Sequence, residues 1–319
     1  LFSPNSIFSD VASNPNFEDC INAVKFFRKN TFDGVIALGG GSAMDLAKVV
    51  MAYLCLEKSD ICELINYKGK FPRIIPSIFL PTTHGTASEV TMWGTIWNMK
   101  EKKKYSISHP DLYPSMAILD GNLTLSLPLD ISITTVMDAL SHSLEAIWNK
   151  NANNTSTDFA ISAVCSILRN VEALKQTPSD LSIRNKLLNA STVSGLAFSN
   201  TTTAAAHSMS YPLTIHYEIP HGVASSIGLI PLLEINGKLI KEPLDKICNN
   251  LELTYNELKQ TIKAIPQGVI PYTLKAWGIP EDQLLGLAGE SFTKGRMNNN
   301  IVDLKTDDVL MILKELYSD

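Results

Sequence analysis

The chain has 319 residues, 45% hydrophobic and 18% charged, with a net charge of −5 from 27 basic and 32 acidic residues. That composition excludes a disordered chain, and the lack of long charge runs excludes a basic nucleic-acid face. Five scattered cysteines without a C-x-x-C argue against a disulfide framework and for a reducing, cytoplasmic setting.

No apolar run is long enough for a bilayer and no signal-peptide pattern opens the chain. The sequence starts on LFSPNSIFSDV, without a methionine, and reads as an entry in mid-loop. Residues 1–125 mix apolar runs with helical periods. FDGVIALGG (Phe32–Gly40) reads as a buried strand ending in glycines. SAMDLAKVVMAYLCL (Ser42–Leu56) reads as a helix with Ala43, Leu46, Ala47, Val50 and Leu54 on one side. RIIPSIFLPTT (Arg73–Thr83) and SMAILD (Ser115–Asp120) read as further buried strands, and EKKKY (Glu101–Tyr105) as a solvated turn. Strand, helix and strand without hairpin signals predict a parallel α/β layer.

From about residue 130 the texture is helical. Helices are predicted over Ser132–Lys150, with Ser132 as cap, and over Ser156–Leu174 and Ser182–Asn200. Later ones fall at Asn256–Ile265, Glu281–Gly289 and Thr306–Tyr317. The boundary is expected in GNLTLSLPLDI, which gives an α/β domain over 1–125 and an all-α domain over 126–319.

Three glycines in ALGGGSAMD separate a strand from a helix start. Such a turn lets backbone N–H groups approach a phosphate, or it is simply a tight βα turn. Asp45, placed in the first helical turn, favours the helix end or bonds a cofactor. LPTTHGTASEVT (Leu80–Thr91) follows a strand and offers Thr82, Thr83, Thr86 and Ser88 to a ligand. His84 in that loop is expected to be solvated.

Asp138 and His142 in DALSH are four apart, so a helix puts them on one face. They suit Zn²⁺ or Fe²⁺, or form an ordinary surface pair. HSMSYPLTIHYEIPHG adds His207, His216 and His221; Pro220 and Gly222 are expected to fix a turn around His221, and His216 is expected to be exposed.

ALGGGSAMDLAK, PTTHGTASEVT, DALSHSLEA, GLAFSN and HSMSYPLTIHYEIPHG occur in that order. Together they make the chain resemble the iron-containing (group III) alcohol dehydrogenases, from about Asn14 to Leu304. The resemblance implies an N-terminal Rossmann-like dinucleotide-binding domain and a C-terminal helical domain of the dehydroquinate synthase-like fold, with the reaction in the cleft between them. It implies Asp138, His142, His207 and His221 as ligands of a divalent metal, Fe²⁺ before Zn²⁺. It implies Gly39, Gly40, Gly41 and Ser42 at the pyrophosphate of NAD(P)H, with Asp45 nearby. Thr82, Thr83 and Ser88 would line the nucleotide, and Lys104 would lie by the nicotinamide ribose. His207, His221 and Tyr211 would act at the reacting centre, in a homodimer or larger homo-oligomer that binds neither nucleic acid nor membrane.

The chain also departs from the pattern. Ala87 stands where the family usually has glycine, and His84 replaces a small residue. Tyr211 stands where many members carry a further histidine, and i+4 from His207 it is expected to face the site. With an ordinary pKa near 10 it is a poor base at neutral pH. The family's first strand, helix and second strand should precede SNPNFEDC, and the end of that second strand bears on the choice between NADH and NADPH.

The activity implied is hydride transfer between a nicotinamide and a small aldehyde or primary alcohol. Four protein ligands saturate tetrahedral zinc, so a substrate oxygen favours an ion of higher coordination number. The SYPLT wording is similar to the branch that reduces phosphonoacetaldehyde to 2-hydroxyethylphosphonate. A phosphonate needs cationic partners, for which Arg296, Lys294 and Lys150 are candidates. The rival readings are a dehydroquinate synthase-like lyase, which normally has three ligands, and an inactive nucleotide-binding homologue.

Overall fold

The first unit of the fold runs through α1 (Phe17–Phe27), β1 (Val35–Gly39), α2 (Gly41–Leu56), α3 (Ile61–Ile65), β2 (Ser77–Pro81), β3 (Trp93–Asn98), β4 (Lys103–Ser108) and β5 (Met116–Ala117). In this computed structural model the described residues are 6–29, 31–56, 61–65, 67–98, 100–101 and 103–318. The first five residues of the opening stretch and Lys102 of the EKKKY run lie outside them. By its contacts the chain forms one unit from Leu1–Thr83 with Ala87–Asp120 and another from His84–Thr86 with Gly121–Asp319.

β1, β2 and β5 pair in parallel in the order β1-β2-β5, in register from Val35↔Ser77 to Gly39↔Pro81. α2 and α3 form the crossover from β1 to β2, which makes their parallel pairing the natural outcome, whereas β2 reaches β5 through the segment that carries β3 and β4. One sheet face puts Ala37 and Phe79 against Met44 and Met51 of α2. On β1 the alternate residues Ile36 and Leu38 are 51% and 57% exposed, so the stretch read as a buried strand is buried on one face only. The helix is also rotated from its expected face. Met44, Leu46 and the run Lys48–Tyr53 are buried, whereas Ala43, Ala47 and Leu54 are only half-buried.

The expectation of no hairpin is corrected. β3 and β4 pair antiparallel from Trp93↔Ser108 to Asn98↔Lys103, so EKKKY runs into a strand and is not wholly turn. Its turn signal is Asn98, whose Oδ1 accepts the backbone N–H groups of Lys100 and Glu101, both at 3.1 Å. An Asx side chain can replace the glycine or proline that a hairpin usually announces.

The second unit is helical: α4 (Leu129–Ile147), α5 (Asn154–Gln176), α6 (Leu181–Thr201), α7 (Ala205–Tyr217), α8 (His221–Ser226), α9 (Leu229–Asn236), α10 (Lys241–Leu251), α11 (Tyr255–Ala264), α12 (Leu284–Glu290) and α13 (Thr306–Ser318). α4 packs on α5, α6 and α8 and is buried along most of its length. It starts at Leu129 with Pro128 as N-cap, so Ser132 is not the cap. Ser132 lies inside the first turn, buried, and its Oγ accepts Arg184 Nη1 at 2.7 Å. Among the described residues no single helix is long and apolar enough to cross a membrane.

His84 departs from expectation most. It is wholly buried in the second unit, and neither ring nitrogen makes a hydrogen bond. Burial, with the Arg184 guanidinium adding to it, pushes the imidazole down to about 3 from 6.5. A folded pKa below the unfolded one means that the unfolded chain takes up the proton first. Stability is then lost as pH falls from about 6.5 toward 3. Between pH 7 and 4.5 the expected loss from this one group is about 3 kcal/mol. Urea midpoints at the two pH values should converge in His84→Leu relative to the parent; an unchanged gap would refute the assignment.

Candidate metal centre and nucleotide turn

α4 carries Asp138, His142 and Glu145 at i, i+4 and i+7, and all three are buried. A 3.6-residue period brings these positions onto one stripe. Titratable groups on a buried stripe are costly unless they are paired with each other or with an ion. The partners come from α7 and α8. α7 ends where Glu218 takes a left-handed conformation, φ 55°. After Ile219 and Pro220, α8 begins at His221. The fourteen-residue spacing of His207 and His221 is therefore one helix, a stop and a second helix start.

Three of the expected ligands converge. One ligand atom from each of Asp138, His142 and His207 lies within 4.8 Å of the other two. His207 Nε2 is 3.6 Å and His221 Nε2 3.9 Å from Asp138 Oδ1, and His142 Nδ1 is 4.0 Å from Oδ2. His221 stands at the rim of this group, with a side chain 25% exposed against 3% for His207. Gly222 corrects another expectation. It belongs to the first turn of α8, and a Cβ there would lie 2.1 Å from Thr134 O. Glycine is used for close approach to α4, not for a turn.

The donor set fits a divalent cation. Burial alone would raise the Asp138 and Glu145 carboxyls, but the neighbouring histidines outweigh it and hold both below the carboxylate range. Burial opposes a charge on His207, yet Glu145 and Asp138 raise its imidazole to about 9. The pocket thus attracts positive charge. His207 Nε2 is buried, makes no hydrogen bond and faces Asp138, which is what a ligand atom awaiting an ion looks like.

Four supporting groups escaped the sequence reading. Glu145 Oε2 lies 2.6 Å from His207 Nδ1, and Oε1 accepts the His207 backbone N–H at 3.1 Å. This fixes Nδ1 as the protonated nitrogen and turns Nε2 toward Asp138. Its signal was the i+3 offset from His142. Phe198, from the GLAFSN motif, stacks on His142 with centroids 4.0 Å apart. Ser225 Oγ donates to Asp138 Oδ1 at 2.8 Å. The fourth, Lys48, lies in the first unit. His216 is exposed as expected, with Nε2 2.6 Å from Glu290 Oε2.

Tyr211 is half-buried on α7, and its Oη accepts Arg296 Nε at 3.2 Å. The segment that carries Arg296 is latched to the helices by amides. Asn299 Nδ2 donates to Thr203 O, and Asn300 and Asn236 exchange side-chain bonds at 2.9 and 3.2 Å. Of the other candidate cations, Lys150 is bound to Asp303 and to Asn298 O, and Lys294 is exposed.

In the first unit Gly39 has φ 155°, and a Cβ on it would meet the Ala43 side chain at 2.7 Å. Gly39–Ser42 are half-buried and form the β1–α2 turn. Thr82 N donates to Gly39 O at 3.0 Å, and Thr83 packs on Gly40. Lys104 Nζ lies 5.6 Å from the centre of the Trp97 ring. Asp45 falls past the first turn of α2, where its two oxygens accept Ser88 Oγ at 2.7 Å and Thr95 N at 2.9 Å. Ala87 sits in the left-handed region at φ 48°. Glycine adopts this conformation freely, and Ala87 bears strain there.

Comparison with known proteins identifies the family. Profiles of the iron-containing alcohol dehydrogenases match residues 3–121, and the C-terminal profile of that family matches residues 132–317. The chain is 32% identical over 305 residues to long-chain-alcohol dehydrogenase 1 of Geobacillus thermodenitrificans, covering 91% of this chain and 76% of that one. The match to the probable alcohol dehydrogenase EutG of Escherichia coli, 32% identical, covers 79% and 64%. A crystal structure of sulfoacetaldehyde reductase from Bifidobacterium kashiwanohense with NAD⁺ superposes with TM-score 0.89 at 30% identity, covering 98% and 83%. One of 1,3-propanediol oxidoreductase gives 0.90 at 26%, covering 97% and 84%. The chain belongs to the iron-containing alcohol dehydrogenase family, whose members are oxidoreductases acting on CH–OH groups.

Proposed function

We propose that this chain reduces a small aldehyde with an anionic head group to the primary alcohol, phosphonoacetaldehyde to 2-hydroxyethylphosphonate being the first candidate. The observation that carries the head-group reading is Arg296, held at Nε by the Tyr211 hydroxyl one turn from His207. With Nε on Tyr211 and Nη1 donating to Gly295 O at 3.2 Å, the guanidinium keeps Nη2 for a phosphonate or sulfonate oxygen. The sulfoacetaldehyde reductase relative supports an anionic aldehyde and makes the sulfonate the alternative to test.

In this reading Asp138, His142, His207 and His221 hold one divalent ion, Fe²⁺ before Zn²⁺. When bound, the ion polarises the carbonyl and the nicotinamide supplies the hydride. Asp138 contributes the negative charge, and Glu145 keeps His207 Nε2 available. Tyr211 orients Arg296 by accepting from it. Gly39–Ser42 receive the pyrophosphate, Thr82, Thr83 and Ser88 line the nucleotide, and Lys104 meets the ribose.

The test is NADH and NADPH oxidation by metal-loaded protein with phosphonoacetaldehyde, sulfoacetaldehyde and propanal. Arg296→Ala should lower kcat/KM for the anionic aldehydes about 10- to 100-fold, the range for losing charge-assisted hydrogen bonds, and leave propanal nearly unchanged. An equal effect on all three aldehydes would remove Arg296 from substrate recognition. Absence of metal-dependent turnover with any aldehyde would overturn the reading.

A further inference from the structure

Lys48, on the second turn of α2, is fully buried. Its Nζ donates to Ser88 O and Ser88 Oγ, both at 2.7 Å, to Trp93 O at 2.8 Å and to Thr91 Oγ1 at 3.1 Å. One turn earlier Asp45 accepts from Ser88 Oγ and Thr95 N. Positions i and i+3 share a helix face, so one face of α2 grips residues 88–95. The gripped segment begins just after Ala87, whose left-handed backbone tends to relax unless its neighbours hold it.

A buried charge is costly unless it is fully hydrogen-bonded, and the four oxygens around Lys48 Nζ meet that need. What lysine adds is a fixed position for the Ser88 main chain and hydroxyl together. We propose that Lys48 is a positioning residue for the nucleotide loop, and that it acts through Ser88. This rests on the reading that the Gly39–Ser42 turn and Thr82, Thr83 and Ser88 bind the nucleotide.

The experiment measures NADH affinity and metal affinity of the full chain by titration. Lys48→Met should raise the Kd for NADH tenfold or more and leave the Kd for Zn²⁺ within twofold, since the ligands lie on the other unit. Ser88→Ala should weaken NADH comparably. The double variant should match Ser88→Ala within about twofold, because the Ser88 hydroxyl is the group through which Lys48 reaches the nucleotide. A general loss of packing would instead weaken both ligands. If Thr83→Ala weakens NADH and Lys48→Met does not, Lys48 has no positioning role and the loop reading stands. If neither changes, the loop reading falls and takes the proposal with it. Additive effects of Lys48→Met and Ser88→Ala would also overturn it. Should Lys48→Met not fold, Ser88→Ala decides alone: an unchanged Kd for NADH refutes the proposal.

Discussion

Asp138→Ala should lower metal affinity and metal-supported turnover by about 10²- to 10³-fold, the range for removing one partner from a buried charged group. Asp138 is the shared neighbour of His142, His207 and His221, all within 4.0 Å of its carboxylate. Without it, Glu145 would be the remaining carboxylate against His207, and it lies on Nδ1, the side turned away from Asp138. Isothermal titration with Zn²⁺, paired with aldehyde reduction, checks this. A variant that keeps parental metal affinity would place the ion elsewhere.

Gly222→Ala should be the most damaging single methyl in the second unit. Its Cβ would sit 2.1 Å from the Thr134 carbonyl oxygen, a backbone atom of α4 that cannot rotate away. Either α8 moves off α4 or the fold pays in strain, and overpacking of this kind costs about 1–3 kcal/mol, occasionally more. The displacement starts one residue from His221, so metal affinity should fall with thermal stability. Gly286→Ala, where a Cβ meets nothing within 4 Å, serves as the neutral comparison. Equal melting temperatures for the two variants would show that α8 tolerates the shift.

The cluster of candidate ligands was legible because helical spacing and motif order suffice to group Asp138 with His142 and His207 with His221. Glu145 was not, because a glutamate three residues after a histidine on a helix looks like any exposed face until burial is known. His84 was misread for the same reason. A polar-looking loop gives no sign that its middle residues pack with the helical unit while its ends belong to the other. The β3–β4 hairpin was missed because Asn98 alone supplies its turn chemistry. Asp45 was legible as important, but its partners, Ser88 and Thr95, lie more than forty residues away in sequence. Long-range polar pairing of this kind leaves no periodic trace.

The central claim is that one divalent ion sits among Asp138, His142, His207 and His221. An anomalous difference map from crystals of zinc- or iron-loaded protein tests it most directly. The account predicts a single strong peak at about 2.0–2.2 Å from one carboxylate oxygen and the histidine nitrogens, with His207 bound through Nε2. A peak elsewhere in the chain, or none here in crystals whose protein carries stoichiometric metal, would contradict it.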